Sequence, residues 1–262
     1  MSQAETFKQL HAGPQILVLP NAWDAASAAL MEDAGAKALA TSSAAVAWAH
    51  GYADGDLLPV PTLIAAIGEI ARVLKVPLTA DIEGGYSDDL ATVAETIKGV
   101  VGAGAVGINL EDGGRDPDLH ARKIEAVRKA AGADLFVNAR TDVYLRGLAE
   151  GEAALAETLR RAELYRAAGA DGIFVPGPVD EALLGTLARD IVLPLNVMGR
   201  GGAPSAARLQ ALGVRRLSSA TAPFRAAYAA LGRAMSEFLA SGDANALAQA
   251  GQGLPDLNKR FG

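Results

Sequence analysis

The residues best suited to chemistry are carboxylates that end apolar runs. Pro77-Leu78-Thr79-Ala80-Asp81-Ile82-Glu83-Gly84-Gly85-Tyr86 reads as a strand closed by two acids and a glycine pair. Alternate residues of a strand share a face, so Asp81 and Glu83 are expected side by side. Like charges so placed repel unless a cation lies between them. Val106-Gly107-Ile108-Asn109-Leu110-Glu111-Asp112 repeats the pattern and brings a third carboxylate to the same rim if the two strands are neighbours. Such a set suits a hard cation that takes oxygen ligands and keeps several waters, so Mg²⁺ is the expected metal, with Mn²⁺ as its substitute. Arg140, after the run Leu135 to Ala139, is the arginine facing these acids, able to grip a substrate carboxylate or a developing oxyanion. The competing reading makes Arg140 a buried counter-ion and Asp142 the cap of the next helix; the number of acids on successive strand ends favours the metal site.

Other residue types narrow the chemistry. The chain has no cysteine, hence no thiolate nucleophile, disulfide or zinc-thiolate site. Its lysines fall before strands, on helices or at the chain ends, which argues against Schiff-base chemistry. Of His11, His50 and His120 only His50 is expected near the rim, as a loop residue rather than a ligand. Gly199-Arg200-Gly201-Gly202 with Ser218-Ser219 reads equally well as a phosphate cradle or as a loop that needs glycine dihedrals.

A scaffold must bring these positions together. The 262 residues, 50% hydrophobic and 21% charged, fit one large globular α/β unit. A net charge of -6 disfavours nucleic acid and anionic membrane as partners, and no apolar run is long enough for a membrane span, so a cytoplasmic protein is expected. Strand-like and helix-like segments alternate from Gln15–Pro20 to a long final helix at Pro223–Ala240, giving eight units spaced by roughly 25 to 35 residues, the arithmetic of a (β/α)₈ TIM barrel. Residues 1–262 are expected to form this single domain, with 241–262 as a C-terminal tail holding an extra helix near Ala244 to Ala250. A polar leader precedes the first strand, and a loop is expected from Trp48 to Pro59. The strand ends then form one polar ring: Asn21, Ser42-Ser43, Asp81, Glu83, Glu111-Asp112, Asn138, Arg140, Pro176, Asn196, Met198 and Ser218-Ser219, with Asn196 placed on the substrate side.

Seven ordered motifs carry a resemblance: Pro20-Asn21-Ala22-Trp23-Asp24, Thr41-Ser42-Ser43, Gly51-Tyr52-Ala53-Asp54-Gly55, Asp81-Ile82-Glu83-Gly84-Gly85-Tyr86, Ile108-Asn109-Leu110-Glu111-Asp112, Asn138-Ala139-Arg140-Thr141-Asp142 and Phe174-Val175-Pro176-Gly177. From about Phe7 to Arg233 the chain resembles the isocitrate lyase/phosphoenolpyruvate mutase superfamily. The resemblance implies a Mg²⁺-dependent barrel enzyme acting on a 2-oxo or 2-hydroxy acid, and a homotetramer built as a dimer of dimers with exchanged last helices. It implies that Asp54, Asp81, Glu83 and Glu111 hold Mg²⁺, mostly through its waters, that Ser42, Ser43 and the Ala44 amide bind the substrate carboxylate, and that Arg140 contacts the substrate oxygen. Asp54, Glu111 and Arg140 are thus the catalytic candidates.

One departure discriminates among the superfamily's reactions. Where its isocitrate and methylisocitrate lyases carry a lysine-rich loop with a proton-donating cysteine, this chain has Asp112-Gly113-Gly114-Arg115-Asp116-Pro117-Asp118, and the lysine and asparagine of the mutases and phosphonopyruvate hydrolases are missing too. Decarboxylation of a β-oxo diacid such as oxaloacetate makes the smallest demand, because a metal-stabilised enolate forms as CO₂ leaves and water can return the proton. Carbon-carbon cleavage of a 2-hydroxy diacid of the methylisocitrate or dimethylmalate type ranks second and P–C chemistry on phosphonopyruvate third. Tight binding of a 2-oxo acid without turnover is the non-enzymatic alternative.

Overall fold

The apolar runs marked in the sequence become short parallel strands, and the segments between them become helices. The computed structural model describes residues 1–262. In chain order the elements are α1 (Gln3–Ala12), β1 (Leu17–Leu19), β2 (Asn21–Ala22), α2 (Ala25–Asp33), β3 (Leu39–Thr41), α3 (Ser43–Ala49), α4 (Val60–Val73), β4 (Leu78–Asp81), α5 (Leu90–Gly102), β5 (Gly107–Glu111), α6 (Pro117–Ala131), β6 (Phe136–Arg140), α7 (Gly151–Ala167), β7 (Gly172–Phe174), α8 (Glu181–Asp190), β8 (Leu195–Met198), α9 (Ala206–Ala211), β9 (Arg216–Ser218), α10 (Ala222–Ser241), α11 (Asn245–Ala250) and α12 (Leu257–Phe261).

The nine strands run in the order β1-β9-β8-β7-β6-β5-β4-β3-β2. Only Pro20 separates β1 from β2, and proline has no N–H for the ladder. Its carbonyl still accepts from Ala40 N–H at 2.9 Å, while that of Leu19 accepts from Ser219 N–H at 3.2 Å. The two pieces therefore act as one interrupted strand, pairing with β9 on one side and β3 on the other. The barrel is the expected (β/α)₈ TIM barrel, closed at Pro20.

Three segments depart from expectation. The polar leader is helix α1, capped reciprocally by Ser2 and Glu5. Its Phe7 and His11 plug the N-terminal end of the barrel, His11 stacking on Phe136 with ring centroids 4.1 Å apart. Gly107 makes room for this plug, since a Cβ there would lie 2.8 Å from the Phe7 ring. The stretch before the Trp48–Pro59 loop coils into α3, started by the Ser42 hydroxyl accepting from Ala45 N–H. The chain end is also ordered as α12, where Arg260 pairs with Glu32 at 2.8 Å and Asp33 at 3.0 Å and so ties the tail to α2.

Two buried imidazoles give the fold an acid sensitivity. Burial pushes His11 down to about 3 and His120 down to about 4. Both values lie below the usual 6.5, so the unfolded chain binds more protons. Stability is full above about pH 6.5 and declines as pH falls, through the window from 6.5 to 4 for His120 and on to about 3 for His11. His120 packs edge-on against Tyr165 with neither ring nitrogen partnered. His120→Phe is expected to remove a few kcal/mol of this pH dependence, read as a flatter profile of denaturation midpoint between pH 7 and pH 4.5.

Candidate active site

The register of the central strands places the polar residues in tiers. Asp81 pairs with Asn109 across β4 and β5, Asn109 with Asn138 across β5 and β6, and Glu111 with Arg140 one tier higher. Chain ends of parallel barrel strands are where such folds place their chemistry. A cavity of about 140 Å³ opens there, walled by Asn21, Ser42, Ser43, Ala44, Asp54, Asp81, Asn109, Arg140 and Ser218 on its polar side. Leu145, Phe174, Pro176 and Met198 form an apolar wall.

Arg140 is the centre of the positive charge. Its Nη1 lies 2.5 Å from Glu111, and its Nε and Nη2 donate to Asp142 at 2.7 and 3.1 Å. The guanidinium also sits over Phe174, 5.7 Å from the ring centroid. Two acids aim this one cation, leaving it at the cavity wall. Asp142 is fully buried and bonded to Arg146 as well, at 3.0 Å, so it orients arginines rather than capping α7, whose N-cap is Glu150. Its own amide donates to Asp112 at 2.9 Å, and Asp112 accepts further from Arg161 and Tyr165 at 2.8 and 2.7 Å. Burial alone would raise Asp112, but these three donors hold its carboxyl below the usual range.

The acids fall into two groups. Asp81 and Asp54 line the cavity. Asp81 accepts from the Ser43 amide at 3.2 Å, and its own amide donates to the Thr41 hydroxyl at 2.8 Å. Burial, then the neighbouring Asp81 charge, pushes the Asp54 carboxyl up. Glu83 behaves differently from the expectation of a shared strand face. β4 stops at Asp81, and Glu83 adopts a left-handed backbone at φ 50°. Its carboxylate accepts from the amides of Gly55, at 2.7 Å, and Asp56, and from the Tyr86 hydroxyl at 3.0 Å. Glu83 thereby pins the loop that carries Asp54. Glu111 lies beside the cavity on Arg140, which favours its ionised form; removal from water works the other way and pushes it up to about 8. Any further cation in the cavity tips that balance toward ionisation.

No three acidic side chains converge into a ready-made ligand set. The donor chemistry nevertheless fits a hard cation: two adjacent cavity carboxylates, one raised by the other, supply the few protein oxygens that Mg²⁺ needs when it keeps most of its waters.

Several residues matter that the sequence did not mark. Asp56 accepts from Gly84 and Tyr86 amides at 3.1 and 3.2 Å and pairs with Arg115 at 2.6 Å. Gly84 gives this ion pair room, since a Cβ there would come within 2.1 Å of the Arg115 guanidinium and push it off Asp56. Lys123 is 2% exposed and holds the same turn through Gly84 O at 2.8 Å and Asp88 at 2.6 Å. Only its spacing on the inner face of α6 could have signalled this. Asn196 is buried beside the cavity rather than on its wall, its Oδ1 accepting from the Ser218 hydroxyl at 3.4 Å. Met198, two residues further along the same face of β8, is the residue that reaches the cavity. Arg200 does not line the cavity and instead faces the Gly177 carbonyl at 3.5 Å, and His50 hydrogen-bonds the Val46 carbonyl at 2.9 Å.

The parallel barrel thus carries carboxylates and one doubly held arginine at its C-terminal rim. The chain belongs to the phosphoenolpyruvate phosphomutase family, whose family model matches residues 7–239. It is 38% identical to a Mycobacterium tuberculosis protein of uncharacterised activity over 226 residues, covering 84% of each chain. A solved Burkholderia cenocepacia structure described as a phosphonomutase is 42% identical, with a TM-score of 0.85, over 89% of this chain and 99% of that one. The oxaloacetate decarboxylase of Pseudomonas fluorescens is 29% identical over 80% of this chain and 75% of its own length. The superfamily is one of lyases and mutases, which also includes proteins named 2-methylisocitrate lyase and 2,3-dimethylmalate lyase.

Proposed function

We propose that the chain is a Mg²⁺-dependent lyase of small 2-oxo acids, acting first on a β-oxo diacid of the oxaloacetate type by decarboxylation. The observation that carries this reading is a cavity with one cation, an acidic wall, an apolar wall and no proton-donating side chain on the loop after β5. Arg115 of that loop is engaged by Asp56 instead. A leaving carboxylate that becomes neutral CO₂ suits the side formed by Leu145, Phe174, Pro176 and Met198. Arg140 holds the negative charge that moves onto the former 2-oxo oxygen, and Asp142 and Glu111 keep its guanidinium in place. Of the first-turn amides of α3, that of Ser43 is taken by Asp81 and that of Ala45 by the Ser42 hydroxyl, and the Ala44 amide meets the C1 carboxylate beside Ser42 and Ser43. Water returns the proton. Asp81 and Asp54 are the residues that would hold Mg²⁺, with Glu83 and Glu111 completing the acid set. When bound, the ion supplies electrophilic pull on the 2-oxo acid.

Proton NMR of the protein with oxaloacetate, methylated malates, methylisocitrate and phosphonopyruvate, each with Mg²⁺ or chelator, tests this. Pyruvate formed from oxaloacetate alone supports decarboxylation. Glyoxylate, a shorter diacid or phosphate as product replaces it with carbon-carbon or P–C cleavage. A melting shift with every compound recovered unchanged leaves a binding protein.

The assembly follows the same reading. Helix α10 buries only Phe224 and Ala234 and leaves Tyr228, Leu231 and Leu239 46%, 51% and 75% exposed. On the outer side of β1, Val18 is 54% exposed in a groove with Leu10, Ile16 and Met31. A second copy that lays its last helix on the first satisfies both faces, as in a dimer of dimers. Leu231→Glu is expected to lower the mass seen by light scattering at micromolar concentration to that of a smaller species, whereas an unchanged mass would place the interface elsewhere.

A further inference from the structure

The tier below the carboxylates contains a cation that the proposed reaction does not use. Arg216, from β9, is completely buried inside the barrel, and burial pulls its guanidinium down to about 9. Its Nη2 donates to Asn109 Oδ1 at 3.3 Å, while Nε and Nη1 have no partner. The same Asn109 oxygen accepts from Asn138 Nδ2 at 2.7 Å. Gly172 leaves room for the Asn138 side chain, because a Cβ there would lie 2.9 Å from Asn138 Oδ1.

These contacts decide which way the Asn109 amide faces. A carboxamide has an oxygen end that accepts and a nitrogen end that donates, and the two can exchange by rotation. A guanidinium has no acceptor, so only the oxygen end can face Arg216. With both lone pairs of that oxygen occupied, the Nδ2 end is turned the other way. Asn109 lines the substrate cavity, next in register to Asp81. From this geometry we infer that Asn109 is a substrate-binding residue whose Nδ2 donates one N–H to an oxygen of the bound 2-oxo acid, and that Arg216 is the positioning residue that locks the amide in this sense.

The inference rests on the proposed 2-oxo acid chemistry and adds a donor on the strand next to that of Arg140, one tier below it. An uncharged donor suits this place. It favours a substrate oxygen without adding a second cation that would compete with Mg²⁺ for Asp81.

Oxalate, a planar unreactive mimic of a 2-oxo acid enolate, is the probe, titrated by calorimetry in the presence of Mg²⁺. Asn109→Asp keeps the size and the Arg216 contact but presents an oxygen where the N–H groups were. It is expected to weaken oxalate binding by about 30-fold or more, and Asn109→Ala by about 10-fold. Arg216→Gln can accept as well as donate and leaves Asn138 alone to hold the amide, with an expected loss of roughly 3- to 10-fold, while Arg216→Lys, a donor only, is expected to restore binding toward the parent value. Oxalate binding by Asn109→Asp equal to that of the parent overturns the assignment, as does an Arg216→Gln variant that is no weaker than Arg216→Lys. Failure of the parent protein itself to bind oxalate overturns the 2-oxo acid reading and this assignment with it. A melting temperature for each ligand-free variant separates loss of binding from loss of fold.

Discussion

Arg140→Met is expected to reduce kcat on a 2-oxo acid by about 10²- to 10³-fold, the usual consequence of removing a preorganised charge donor from a buried oxyanion site. Methionine fills much of the same space, and Asp142 keeps Arg146 at 3.0 Å, so the fold is expected to survive. Glu111 loses its only basic partner, and burial then favours its protonated form. Arg140→Lys retains the charge but not the fork that meets Glu111 and Asp142 together, so it should fall between the two. Steady-state kinetics at saturating Mg²⁺ would distinguish the roles. A change of less than about tenfold in kcat for Arg140→Met would make the arginine merely the counter-ion of its acids.

Asp112→Ala is expected to have the largest effect on stability. Asp112 is 1% exposed and receives Arg161, Tyr165 and the Asp142 amide. Removing it leaves a nearly buried guanidinium short of a partner and a phenol and an amide without acceptors, a loss of about 3 to 5 kcal/mol. For a chain of this size that corresponds to a melting point lowered by roughly 10 °C. Arg161 keeps Glu157 at 2.6 Å, which argues for the lower part of the range. Asp112→Asn, which still accepts, should recover more than half of the loss. Differential scanning calorimetry reads both variants, and an Asp112→Ala melting point within 3 °C of the parent would show that the network contributes little.

The barrel was readable because its alternation of apolar strands and helical segments is set by local chemistry. Asp81, Arg140 and Ser42-Ser43 could be placed from their position at strand ends. Glu83 could not, because alternation fails where β4 gives way to a left-handed turn, and the loop amides that capture its carboxylate are remote in sequence. That Met198 rather than Asn196 reaches the cavity wall could not be read either, since sequence alone does not say at which tier a barrel wall ends. Helix α1 was invisible as a plug because only Phe7 and His11 are buried on an otherwise polar helix. Arg216 and Asn109 carry a buried polar contact 107 positions apart, which no local pattern encodes. Tertiary pairing decided these positions.

The central claim is metal-assisted chemistry on a 2-oxo acid at the Asp81 rim. Its most direct test is the initial rate of pyruvate formation from oxaloacetate by the parent protein and by Asp81→Ala, with Mg²⁺ and with excess chelator, each corrected for the slow background reaction of Mg²⁺ alone. The account predicts turnover only for the parent with Mg²⁺, lowered at least about 100-fold by either change. Equal rates for parent and Asp81→Ala, or a rate indifferent to chelator, would contradict it.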